Sequence, residues 1–326
     1  MEPPSREGRC GAGRIGAAGG GGLMCTDISA ATTTIRGVPR RRHLSNDACI
    51  TTLLLTRSKD GDHCQSSTAV DCTELAHLHF VGVCWMSNCG RLTAVDCTGL
   101  TQLSSVGSRW LCHCVSLTAL DFTGLTQLRT VGSLWLSGCS SLVHLDCTGL
   151  SQLTEVGSSW LQGCSSLTSL NCAGLTQLQS VGAYWLSDCM RLTGLDISTG
   201  LTQLGTVGSC WLSSCLSLAA LDCTGLAQLT EVGAYWLSGC ASMTVFDSKG
   251  LARLSSVGPH WLAHCAQLTK LDATGLTELR TVGPHWLSGC VKLSTLLIDC
   301  AELTQSDACC RLPARLSHQP LMGPDR

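Results

Sequence analysis

Apolar positions recur along most of the chain in one composite pattern. In the run LTALDFTGLTQLRTVGSLWLSGCSS, Leu117, Leu120 and Phe122 form L-x-x-L-x-F, whose last three residues alternate inward, outward, inward as a short strand does. After the TG turn, Leu125, Leu128, Val131, Trp135 or Leu136, and Cys139 follow at spacings of three and four, which predicts one face of a short helix or of 3-10 turns. The Val-Gly pair marks the phase at Val81, Val106, Val131, Val156, Val181, Val207, Val232, Val257 and Val282, in steps of 25 with a single 26. The extra residue falls in LDISTGL, where other copies read LDCTGL, and so in a turn. A turn, a strand and a helical return cannot bury both apolar edges alone. Stacked copies can, which predicts an α/β solenoid: a right-handed, curved stack with a parallel β-sheet on its concave face and short helical or 3-10 turns on its convex face.

The same template reads the ends. Ile50, Leu53 and Leu55 repeat the strand spacing, as do Leu293, Leu296 and Ile298. They predict degenerate caps over 46–66 and 293–304 around nine repeats over 67–292, giving about 11 rungs. Residues 1–45, with GAGRIGAAGGGG and PRRRH, are expected to be a disordered Gly/Arg-rich segment, and 305–326 a flexible tail.

The unit L-x-x-L-D-C-T-G-L-x-x-L-x-x-V-G-x-x-W-L-x-x-C-x-x resembles the leucine-rich repeats, and within them the BspA-like (Treponema pallidum-type) class. That class is similar in its apolar-Gly pair, its small-aromatic pair and a Cys three residues before the next strand, over roughly residues 50–304. The unit here is longer, and W-L stands where the class has A-F. The resemblance implies recognition of a protein partner through the concave face and, in this class, frequent cell-surface or adhesive roles.

Composition narrows the chemistry. Charged residues make up only 13% of the chain, and the formal net charge is −2, which predicts no affinity for nucleic acid or anionic membrane. Residues 66–304 carry 15 Asp and Glu against 9 Lys and Arg, so the body is acidic. No apolar run is long enough to insert in a membrane, and no Asn begins an N-x-Ser/Thr sequon. The 24 Cys and an N-terminus, MEPPSREGRC, without an apolar signal core predict free thiols in a reducing, intracellular setting; a different N-terminus would reverse that to the cell surface.

Several residue types invite a site. GAGRIG matches a dinucleotide fingerprint but lacks the strand and helix that the chemistry requires. Arg40, Arg41 and Arg42 before Ser45 are too few for a specific basic motif. One Cys column (Cys89, Cys114, Cys139, Cys164, Cys189, Cys215, Cys240, Cys265, Cys290) ends every unit, and a second (Cys72, Cys97, Cys147, Cys172, Cys223) gives way to Phe122, Ile197 and Ala273. Such replacements suit an apolar slot rather than a metal ligand or disulfide. His260, His264, Cys265 and His285, or Cys112, His113 and Cys114, are the nearest approach to a zinc set, and their counterparts in other copies are Tyr, Ser, Gly and Leu, so no metal is expected. All nine Trp sit in the W-L position, where spacing to Val and Cys favours packing over an exposed aromatic surface.

The outward strand residues read Asp71, Asp96, Asp121, Asp146, Asn171, Asp196, Asp222, Asp247 and Asp272, flanked by small or hydroxyl side chains, with His144, Lys249 and Lys270 breaking the uniformity. Like charges ~5 Å apart repel by ~0.8 kcal/mol per pair even in water, so something must offset the array. Two readings stay open: Thr hydroxyls, turns and water compensate it in a structure produced by duplication, or it receives a partner such as a basic protein segment. No Ser/His/Asp set, phosphate loop or paired acids stands apart from the grid. The expectation is a non-enzymatic protein-interaction or scaffold module with no cofactor and no small-molecule substrate, the rivals being an antigen-like surface array and, remotely, a metal-binding protein.

Overall fold

The computed structural model describes residues 67–298, all within one compact unit. They form a parallel-strand β-solenoid in which each rung crosses two sheets. One crossing is a three-residue strand, from Ala69–Asp71 in the first rung to Thr295–Leu297 in the last. The other is the two-residue strand ending at the Val of Val-Gly, from Phe80–Val81 to Thr281–Val282, and these pair into one nine-stranded sheet. The three-residue strands pair in three groups of three, and the rung containing Asp222 forms no three-residue strand, though it contributes Glu231–Val232 to the other sheet. The first interruption follows Ala119–Asp121, beside Phe122, whose ring lies tilted against both Trp110 and Trp135 at 6.1 and 5.3 Å. The second follows the rung with the extra residue.

The expected helical return is not what the chain forms: among the described residues there is no α- or 3-10 helix. The segment from Val-Gly to Cys instead alternates in hand. Around Trp135, Leu134 has φ +63°, Leu136 has φ +54° and Gly138 has φ +74°, and most other rungs repeat the pattern. Its alternate amides bond between rungs. Leu136 N–H donates to the Trp110 carbonyl of the rung before (3.0 Å), while Leu134 N–H and Gly138 N–H donate to Ser158 and Gln162 of the rung after (2.7 Å each). Those bonds take the donors a helix would use internally, and in return the left-handed residues cost roughly 1–2 kcal/mol each. The geometry also removes a choice left open by spacing: both Trp135 and Leu136 face inward and are buried.

Neighbouring rungs approach closely. A Cβ on Gly149 of the TG turn would stand 2.1 Å from the Phe122 carbonyl oxygen, so that turn admits glycine alone. Between the sheets runs a continuous apolar core of Leu, Val, Cys and Trp. Its largest members are the indoles, stacked face to face; Trp135 and Trp160 have centroids 5.1 Å apart and planes inclined by 4°. From Trp85 to Trp261 every indole Nε1 is buried with no hydrogen-bond partner, a cost of about 1–3 kcal/mol each that the stacking and burial must exceed.

The cap expected around Leu293, Leu296 and Ile298 contributes the strand Thr295–Leu297, which pairs with Lys270–Asp272. Ile50, Leu53 and Leu55, GAGRIG, the basic cluster with Ser45, and the segments 1–45 and 305–326 lie outside the described residues.

Candidate functional site

The outward residues of the three-residue strands come together as spacing predicts. Asp71 aligns with Asp96 and Asp96 with Asp121; Asp146 aligns with Asn171 and Asn171 with Asp196; Asp247 aligns with Asp272. Asp222 occupies the equivalent place in the rung that lacks the three-residue strand. A shallow groove of about 620 Å³ runs along Asp71, Asp96, Asp121 and Asp146, floored by Ala69, Ala94 and Ala119.

Each member of the column does local work that spacing alone did not reveal. Oδ1 accepts the backbone N–H two residues on: Thr73 to Asp71 (2.8 Å), Thr98 to Asp96 (2.8 Å), Thr123 to Asp121 (2.8 Å) and Thr148 to Asp146 (2.9 Å). The pattern continues through Asn171, Asp196, Asp222, Asp247 and Asp272. This is an Asx turn, which ends the strand and starts the TG turn. Hydroxyls reinforce it where Thr98, Ser198 and Thr274 also donate to the same carboxylate oxygen. The backbone amides of Thr73 and Thr224 hold Asp71 and Asp222 below the usual carboxylate range. The signal for this role was in the sequence, as the Thr or Ser that follows most of these Asp residues by two.

Compensation therefore uses one carboxylate oxygen and leaves the other. Among the described residues, the one ion pair is Lys270 Nζ to Asp272 Oδ2, at 3.3 Å. Asn171 breaks the charge and bridges it, its Nδ2 donating to Asp146 Oδ1 at 3.2 Å. His144 is engaged by its own neighbours, with Nδ1 2.7 Å from Ser169 Oγ. Lys249 contributes its backbone N–H to Asp247.

The rung-ending cysteines also prove to have a polar task. Cys139, Cys164 and Cys189 donate Sγ–H to the carbonyls of Leu111, Leu136 and Leu161 at 3.1, 3.1 and 3.2 Å, each the left-handed Leu of the preceding rung. A small apolar side chain with one weak donor fits that position. Burial pushes the Cys189 and Cys240 thiols up to about 12, so neither is a poised nucleophile. None of the 17 cysteines among the described residues is joined in a disulfide.

The residues nearest a zinc set do not converge. His260 stacks between Tyr235 and His285 at 4.4 and 4.9 Å, while Cys265 turns its Sγ into the core toward the Leu237 carbonyl. Among the described residues no group of three or more His, Cys, Asp or Glu is placed to hold a metal ion.

The repeat grid, two-sheet rung and buried columns can be set beside known proteins. The family model for the BspA type leucine rich repeat region matches residues 81–208 and 179–309, with six copies. The chain belongs to the BspA-type leucine-rich repeat family. Solved structures are similar to the chain at low identity. A leucine-rich repeat protein of T. pallidum is 18% identical, over 62% of this chain and 77% of that one, with a TM-score of 0.39. One from Bacteroides ovatus is 15% identical, over 68% and 77%, with a TM-score of 0.26. A leucine rich cell surface protein of Faecalibacterium prausnitzii is 13% identical, over 74% and 80%, with a TM-score of 0.30. Comparison with curated proteins yields no match. Among the described residues of this BspA-type chain, no helix is long and apolar enough to cross a membrane.

Proposed function

We propose that this BspA-type repeat is a non-enzymatic protein-interaction module that receives a basic, extended protein segment along its Asp column. The supporting observation is the division of labour within each carboxylate. Oδ1 is committed to the backbone turn, which fixes the side chain, and Oδ2 has no protein donor among the described residues outside the Lys270 pair. Fixed acceptors repeated at the rung spacing of ~4.8 Å lie within reach of the long Lys or Arg side chains on one face of an extended peptide, which are ~6.8 Å apart at the backbone, and Ala69, Ala94 and Ala119 leave the approach open. Asn171 and the Lys270 pair weaken the field beyond Asp146, which directs the segment to the groove of Asp71 to Asp146.

The setting follows from the thiols. Among the described residues every Cys but Cys84 is buried, and a thiol held in the core stays free in either redox setting, so these residues do not argue for a reducing interior. A cell-surface setting, as named for the F. prausnitzii protein, suits this reading equally well.

The test is titration of a fluorescent Lys/Arg-rich peptide at several salt concentrations, against the native chain and the Asp96→Asn/Asp121→Asn variant. Affinity should fall with salt and fall again in the variant, because Asn keeps the turn acceptor and removes the charge. An acidic peptide binding as well as the basic one, or the variant binding the basic peptide unchanged, refutes the proposal.

A further inference from the structure

The indole column has the geometry of a conductor rather than of packing alone. From Trp85 to Trp286 successive rings are 5.1 to 5.9 Å apart and within 16° of parallel, without a gap. Its interior members are wholly buried, and the ends, Trp85 and Trp286, are 5% and 4% exposed. Overlapping π faces in a dry core provide electronic contact from one rung to the next. Three further features determine what happens to an electron vacancy placed on it.

The first is the lack of a proton acceptor. An oxidised indole ordinarily loses its N–H proton and becomes a fixed neutral radical. From Trp85 to Trp261 that N–H faces no acceptor, so the proton stays and the vacancy remains mobile. The second is the state of the neighbouring thiols. From Cys114 to Cys290 each rung-ending thiol directs its proton to a peptide carbonyl of the rung before, as Cys164 does to Leu136 at 3.1 Å, and a carbonyl is too weak a base to take it. The thiols therefore do not drain the column. The third is the position of the only two tyrosines in the chain. Tyr184 and Tyr235 immediately precede Trp185 and Trp236, and Tyr184 is 41% exposed. A phenol at the surface can give up an electron to the adjacent indole while its proton passes to water.

We propose that the Trp column is a relay for one-electron oxidising equivalents, carrying them through the core and discharging them at Tyr184 and Tyr235. A carbonate-radical anion takes one electron from an end indole and becomes carbonate, leaving an indole radical cation. Neighbouring indoles refill it in turn, moving the vacancy along the stack. Tyr184 or Tyr235 then supplies an electron to Trp185 or Trp236 and releases its phenolic proton to water, leaving a neutral tyrosyl radical. An ascorbate-class reductant returns one hydrogen atom and restores the phenol. The chain ends unchanged, and the radical has been reduced without oxidising a core cysteine. This activity is independent of what the Asp column binds.

The test is pulse radiolysis of the full chain in carbonate, following indole and tyrosyl radicals by their separate absorption bands. Indole radical cation should decay as tyrosyl radical rises, at one shared rate that does not depend on protein concentration. In Tyr184→Phe/Tyr235→Phe the tyrosyl band should vanish and the indole radical should last at least about tenfold longer. Adding Trp211→Phe to Tyr235→Phe should lower the tyrosyl yield by about half, because vacancies entering at Trp286 no longer reach Tyr184. Phe keeps a ring in the stack, and the surface Tyr variants test the relay even if the Trp variant unfolds. A tyrosyl rise that does not mirror indole decay, an indole lifetime unchanged by the double Tyr variant, or oxidation accumulating on core thiols would overturn the relay.

Discussion

Trp160 sits mid-column, and its replacement tests the energetics of the whole stack. The side chain is fully buried, with centroids 5.1 Å from Trp135 and 5.3 Å from Trp185 and planes inclined by 4° and 1°. Burying about 200 Å² of indole at ~25 cal/mol per Å² contributes about 5 kcal/mol, and two stacking contacts add about 0.5–1.5 kcal/mol each. Against this, Trp160→Ala also removes a buried N–H without an acceptor, which returns about 1–3 kcal/mol. The net is a loss of about 3–7 kcal/mol, whose lower part coincides with the ~3–5 kcal/mol typical of truncating a core Trp. Trp160→Phe retains a ring and loses the same unpartnered donor, so it should cost less than about 2 kcal/mol. Urea unfolding followed by far-ultraviolet circular dichroism measures both. Because rungs couple only to their neighbours, the Ala variant should also lower the slope of the transition by splitting the stack into two cooperative blocks. An unchanged midpoint in Trp160→Ala, or a Phe variant less stable than the Ala variant, would refute the account of the column as a net stabilising stack.

Ser159 has φ +64° and is partly exposed, so Ser159→Gly should stabilise by about 1 kcal/mol, read as a higher urea midpoint. Cys164→Ala should cost about 1–2 kcal/mol by depriving the Leu136 carbonyl of its donor, with Cys164→Ser costing less, both read by the same unfolding curves. The carboxyls of Asp71 and Asp222 are lowered in the folded state, so their contribution is present above the ordinary Asp value of about 3.9 and is lost as pH falls through their folded values. Melting temperature should therefore drop below about pH 4, and in Asp71→Asn/Asp222→Asn that drop should shrink. The raised thiols act at the other end. Cys189 and Cys240 titrate at about 12 when folded and near 8.5 when unfolded, so stability should decline from pH ~8.5 toward 12, as a melting series would show.

How far the chain could be read from its residues depended on which degree of freedom was asked for. The rung length, the three-residue strands and the inward columns were legible because Val131, Trp135 and Cys139 recur in phase, and only a stack satisfies a repeated apolar face; the second strand set, at Thr130–Val131 and its equivalents, falls where the spacing predicts a helix. The path between them was not. Spacings of three and four fit a helix, and they fit equally a chain that alternates left- and right-handed residues while bonding to its neighbours. One hint existed: Asn88, Gly138, Gly163, Gly239 and Gly289 share a column and all have positive φ, as such residues readily do. Leu at the adjacent left-handed position obscured it, because Leu takes that conformation only where inter-rung bonds impose it. The Asp column was legible as an outward ladder, whereas its part in the turn depended on a hydrogen bond to a backbone two residues away.

The TG glycine has a consequence for how such an array can change over generations. Because Gly149 lies against the carbonyl of the rung before, and that contact recurs with Cys147 beneath Gly174 and Cys97 beneath Gly124, every junction between rungs is nearly the same junction. Unequal recombination that deletes or duplicates one whole unit rejoins a surface to its own equivalent, with the indoles, thiols and carboxylates in line again. Loss or gain of part of a unit does not, except at the turn that already holds the extra residue near Ser198. The gene is thereby free to lengthen or shorten the protein in whole rungs, changing the reach of its Asp column without redesigning any contact.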